Sequence, residues 1–134
     1  MADEMVVKES LTDEMIEAGA ELIRRLDAAG FELKAGLWLY MEEPNAWRLM
    51  LASPIVTKDG PSKAYQKIQS VMSKKPEDRK VLALAHISAV EPNKPIVALL
   101  RKAVKTGDGI SGVRFSRNAV NGQYIEDSYI YRMT

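Results

Sequence analysis

Residues 113–131 read VRFSRNAVNGQYIEDSYIY, and this stretch decides the fold. Asn121-Gly122 sits at its centre and is the strongest two-residue hairpin signal, because a type I′ turn needs positive φ at both central residues. With the turn there, Arg117 falls opposite Glu126 and Val113 opposite Ile130, both favourable cross-strand pairs. The two flanking runs, 113–117 and 125–131, are therefore the two arms of an antiparallel hairpin.

A second hairpin lies upstream. In residues 36–56, Trp38, Tyr40, Leu49 and Leu51 alternate with Leu37, Leu39, Arg48 and Met50 around the turn residues Glu43-Pro44-Asn45-Ala46. The period of two is that of a strand. The second arm is expected to run on through Ile55-Val56-Thr57, with Pro54 marking an edge or a bulge. Val81 to Val90 is a nearly unbroken apolar run interrupted by His86 and Ser88. Such a run predicts a central strand covered on both faces.

Between the strands the period changes. Leu11, Met15, Ala18, Leu22 and Leu26 recur at helical spacing, with Ser10 as the expected N-cap and Gly30 as the stop. The first helix is placed at about 11–29. Pro61 opens a second helix, with Ala64, Tyr65, Ile68, Val71 and Met72 as its stripe. That helix leads into a charged connection that ends at Lys80. Asn93 caps a third helix that runs past Pro95 to Gly107. The order is α-β-β-α-β-α-β-β. It predicts a single α+β domain over 1–134, with a mixed five-stranded sheet, two antiparallel hairpins and three helices. Residues 1–9 read as a flexible tail or a short edge strand.

The chain of 134 residues carries 19 Lys plus Arg against 18 Asp plus Glu, a formal net charge of +1. That balance hides an asymmetry. Residues 1–35 carry a net −5, and residues 58–105 a net +7. There is no cysteine, so disulfides, thiolate metal sites and a cysteine nucleophile are all excluded. The N-terminal residues lack the pattern of a signal peptide, and no window reaches the ~20 apolar residues of a membrane span. A cytoplasmic location without a membrane partner is the expectation.

Few routes to catalysis remain. His86 is the single histidine. In its apolar setting it reads as a half-buried strand residue, with Ser88 on the same face. No second nitrogen or thiolate ligand accompanies it, so no metal and no cofactor is expected. Residues 106–112, TGDGISG, look like a phosphate loop but leave a helix C-terminus, the wrong end for an anion. The loop at 58–63 has the right direction, but Pro61 removes one of the amides it needs. Glu32-Leu33-Lys34 lacks the upstream strand Asp of a nuclease-type site. Glu126 and Asp127 are adjacent on a predicted strand and so face opposite ways.

Three functional expectations follow. The first is a non-enzymatic accessory module that docks on another protein or on its own copy. Its expected interface residues are Trp38, Tyr40, Trp47, Arg114, Tyr129 and Tyr131, because Trp, Tyr and Arg dominate binding hot spots. Free hairpin edges would add strand pairing. The second is weak, non-specific binding of nucleic acid or another anion by Lys63, Lys67, Lys74, Lys75, Lys102 and Lys105. It requires the second and third helices to share one face of the sheet. The third is a small enzyme centred on His86 and Ser88, with Arg114 or Arg117 holding an anionic substrate.

Overall fold

The computed structural model describes residues 7–74 and 81–134. The expected charged connection at 75–80 lies outside the described residues. Helix α1 spans Asp13–Ala28. Its cap is Thr12, whose Oγ1 accepts from the Met15 amide at 3.1 Å, and not Ser10. Asp13 and Glu14 follow at the positive end of the helix dipole. The helix closes as expected at Gly30, φ +75°. The Phe31 amide returns to Leu26 O at 3.0 Å and the Gly30 amide to Asp27 O at 3.1 Å, the paired bonds of a Schellman cap.

Strands β1 (Ala35–Met41) and β2 (Ala46–Ala52) form the first hairpin. Tyr40 faces Trp47 and Trp38 faces Leu49 across it. The second arm stops sooner than expected. Ser53 accepts the Ile55 amide on its hydroxyl, Pro54 takes the first helical position, and residues Pro54–Asp59 form helix α2. A Ser-Pro pair is a helix start, and here that signal outweighs the β-branched run behind it. Helix α3 (Pro61–Met72) begins at Pro61, as the sequence predicts. The described residues thus form four α-helices where three are expected.

The third strand differs most from expectation. A 3₁₀ turn occupies Leu84–His86, and strand β3 is only Ile87–Val90. It pairs parallel with β2 at one edge of a sheet ordered β3-β2-β1-β7-β4, in which β4 is Val113–Arg114 and β7 is Ser128–Met133. β3 is therefore an edge strand, not a central one. Ile87 and Ala89 are buried on the α3 side, where the Tyr65 hydroxyl accepts from the Ala89 amide at 3.0 Å, and Val90 is buried on the opposite face, while Ser88 stays half-buried. Helix α4 (Pro95–Ala103) is shorter than predicted, because Val104 is already extended. Lys94, not Asn93, holds its N-cap position.

The final hairpin keeps its predicted register but breaks in two. Val113 pairs with Ile130 between β4 (Val113–Arg114) and β7 (Ser128–Met133). The Arg117 amide bonds Glu126 O at 3.0 Å. Arg117 has φ +47°, and this kink detaches the tip as a small sheet of β5 (Asn118–Val120) and β6 (Gln123–Ile125). Asn121 and Gly122 both take positive φ, as the turn requires.

The fold is thus α+β, with a mixed five-stranded sheet covered on both sides. Trp38, Trp47, Leu49, Leu51 and Tyr131 pack under α1, α2 and α3. Leu37, Leu39, Met50 and Ile130 pack on the opposite face under α4 and Ile125. One contact sets the α1 spacing. The Trp38 indole donates to the Tyr131 hydroxyl at 2.8 Å, which donates to Ile16 O at 2.7 Å. Both rings press against Gly19, where an added Cβ would overlap the Tyr131 hydroxyl and lie 2.9 Å from Trp38 Nε1. Gly19→Ala is expected to lose about 1–3 kcal/mol in urea unfolding, because overpacking outweighs the helix-propensity gain. Gly107→Ala, where nothing lies within 4 Å, should stay within about 0.5 kcal/mol of the parent.

Candidate binding cleft

The six expected interface residues lie on the helix-covered face; three are interior, and of the six only Arg114 is exposed. Trp38, Trp47 and Tyr131 are 1%, 4% and 1% exposed. Tyr40 and Tyr129 are half-buried. These rings have little surface for a partner because α1 and the segment 7–9 cover them. That segment is pinned rather than free. Asn45 Nδ2 donates to Val7 O at 2.9 Å, Trp47 Nε1 donates to Glu9 O at 2.8 Å, and Lys8 sits 4.9 Å above the Tyr40 ring.

Asp127 organises this corner. Arg114 grips it with two bonds of 2.7 Å, and Lys8 adds one of 2.6 Å. Burial pushes the Asp127 carboxyl up, but the bonds from Arg114 and Lys8 outweigh it and hold the group below its ordinary value. Glu126 is only 3.8 Å from the same Lys8. The two acids are not held apart as a strand would hold them, because 126–127 falls in the break between β6 and β7. Arg114 is thus committed to an internal ion pair.

The lysines divide. α3 buries Ala64, Ile68 and Val71 on the face it shares with α1, leaving Lys63 and Lys67 exposed on its outside. Lys74 follows α3 and is exposed. α4 buries Val97 and Leu100 on the other face, which carries Lys102 and the nearby Lys105. Lys75 lies outside the described residues. The condition for one focused basic surface is not met, because β3 to β4 crosses back over the whole sheet.

His86 is exposed in the 3₁₀ turn, with its Nδ1 accepting the Ala83 amide at 3.3 Å. Ser88 is elsewhere engaged, since its hydroxyl accepts from Arg48 Nε at 2.8 Å. Among the described residues, no group of three His, Cys, Asp or Glu could hold a metal ion. No helix among them is long and apolar enough to cross a membrane.

The kink at Arg117 creates what the sequence did not announce. With the tip sheet bent over and α4 beside it, a cleft of about 510 Å³ opens on the α4 face. Leu39, Met41 and Met50 form its floor, and Ile96 and Ile125 its walls. Arg48, Ser88 and Lys94 line the β2–β3–α4 side. Glu42, Glu43 and Glu126 line the other, with Tyr124 at the rim, 56% exposed. An apolar floor with a few polar groups, in the range of 300–1,000 Å³, is the ordinary form of a ligand site. His86 is not among its lining residues. One sequence signal did point here: Arg48 alternates with Trp47 and Leu49, so a charge had to lie on the otherwise apolar opposite face.

No protein-family model, curated protein or solved structure matches this chain.

The Asp127 cluster makes a pH-dependent contribution to stability. A carboxyl lowered in the native state stabilises above its unfolded pKa of ~3.9 and loses that contribution as pH falls through its native value. Asp127→Asn should cost about 1–3 kcal/mol at pH 7. Its deficit should shrink below about pH 4 in unfolding curves taken from pH 7 to pH 2.

Proposed function

We propose that this chain is a small non-enzymatic binding module, an accessory protein that docks another protein through the cleft between α4, the sheet and the β5–β6 tip. The observation that carries this reading is the cleft itself. It has an apolar floor, a polar rim and no paired nucleophile and base, since Ser88 is hydrogen-bonded to Arg48 and His86 stands outside. The aromatic rings belong to the core, so the docking surface moves from the hairpin rings to the opposite face. Strand addition has little to work with. β3 has four residues with its Ala89 amide already taken by Tyr65, and β4 has two. The split lysines do not favour a nucleic-acid reading. The absence of cysteine fits a reducing compartment, and we place the module in the cytoplasm.

Met41 and Met50 report directly on the cleft. Methyl-labelled methionine spectra, titrated with small apolar fragments, should show these two resonances moving ahead of the other five of the seven methionines. Ile96→Trp should fill the cleft and remove the shifts by at least about tenfold in fragment affinity, with the fold intact because Ile96 is half-buried. Shifts spread evenly over the methionines, or unchanged by Ile96→Trp, would contradict this reading.

A further inference from the structure

We infer that the occupant of this cleft is the C-terminal end of a partner polypeptide. Its last residues would be apolar, with its carboxylate on Arg48 and basic residues just before the apolar ones. This inference rests on the cleft being the docking surface and names the chemistry it recognises.

Arg48 carries the argument. A guanidinium has five N–H donors in a fixed fork that matches a carboxylate. The half-buried Arg48 uses Nε on Ser88 at 2.8 Å and Nη2 on Ile87 O at a long 3.4 Å. Its remaining donors have no acceptor among the described residues. Two other arginines, the exposed Arg114 and the buried Arg132, are satisfied by acids. Arg114 grips Asp127 with two bonds of 2.7 Å, and Arg132 holds Asp27 at 2.9 and 2.8 Å. Arg101 spends its fork on Thr134 O and Pro92 O. Arg48 is instead anchored at one edge by Ser88, which orients its fork while leaving part of it open.

Its surroundings define the rest of the occupant. Lys94 lies on the same side of the cleft, at the start of α4, which has no capping side chain. A carboxylate on Arg48 would therefore have a second cation lining the same cleft. Met50, Leu39 and Met41 follow along the floor. Methionine side chains adapt to varied apolar shapes. Beyond them the sign reverses. Glu42 and Glu43 are exposed at the β1–β2 turn and line the mouth. A free amphiphilic anion gains nothing from those acids and is repelled on approach. A chain whose last residues lie on the floor and whose preceding residues pass the β1–β2 turn would bring basic side chains to Glu42 and Glu43. The charge order of the cleft, Arg48 and Lys94 on one side and Glu42, Glu43 and Glu126 on the other, thus favours a chain end that carries both signs over a small anion. Capture of a terminal carboxylate is a known mode of peptide recognition.

The test uses synthetic hexapeptides and the methionine-methyl readout with calorimetry. The probe is Lys-Lys-Ser-Gly-Leu-Leu as free acid, compared with its C-terminal amide, with Glu-Glu-Ser-Gly-Leu-Leu, and with octanoate. The free acid should bind about tenfold more tightly than the amide, the size of one charge-assisted contact. The Glu-Glu peptide should bind several-fold more weakly than the Lys-Lys one, and octanoate more weakly than the Lys-Lys acid. Arg48→Met should bring acid and amide together, and Arg48→Lys should restore part of the difference. Should either variant fail to fold, the acid-to-amide ratio of the native protein decides alone. Equal binding of acid and amide overturns the inference. So does octanoate binding as tightly as the peptide. In either case, fragments that still move Met41 and Met50 leave the docking cleft standing.

Discussion

The hydroxyl of Tyr131 is the point on which this structure turns. It accepts from Trp38 and donates to the Ile16 carbonyl, linking the last strand, the first strand and the first helix in one buried relay. Burial raises its pKa, so the hydroxyl keeps its proton and remains the donor across the working pH range. The relay needs α1 close to the rings, and Gly19 permits that approach. Once α1 is there, Trp38, Trp47 and Tyr131 are enclosed. Among the described residues no buried side-chain nitrogen or oxygen lacks a partner.

That enclosure settles what is left for recognition. The helix face is filled, and segment 7–9 closes its open corner over Tyr40 and Trp47. Among the described residues the other face has a single helix, α4, of nine residues, too short to cover five strands. The β5–β6 tip covers part of the remainder through Ile125. The space between these two covers is the cleft. The fold therefore leaves apolar floor exposed where two short elements fail to meet, and Arg48 is the charge that lies in it.

Much of the fold was legible because local chemistry and global packing agree. Asn121-Gly122 fixed the register of 113–131, and Gly30 and Pro61 marked helix ends that the structure keeps. The misses have physical causes. At Ser53-Pro54 a helix-start signal competed with a β-branched run, and the capping hydroxyl won. The run 81–90 is apolar on both sides because the edge strand in it packs Ile87 and Ala89 toward α3 and Val90 toward the α4 side, and periodicity cannot tell that from a central one. The candidate site was harder to see. Strand alternation put Trp38, Tyr40 and Trp47 on one face of their hairpin and Tyr129 and Tyr131 on one face of theirs, but only tertiary structure shows that the two faces are one and that α1 covers it. The cleft joins residues from β1, β2, β3, α4 and the tip, and its existence depends on a kink at Arg117 that no residue type there announces. The lysine split likewise follows from strand order, which the sequence does not encode locally.

The central claim is that the aromatic face is interior and the α4 face is the open one. Hydroxyl-radical footprinting of the native protein, read residue by residue by mass spectrometry, tests it most directly. The account predicts slow oxidation of Trp38, Trp47 and Tyr131, which are 1%, 4% and 1% exposed, and fast oxidation of Tyr124 at the cleft rim, 56% exposed. Oxidation of Trp38 and Trp47 as fast as that of Tyr124 would contradict it.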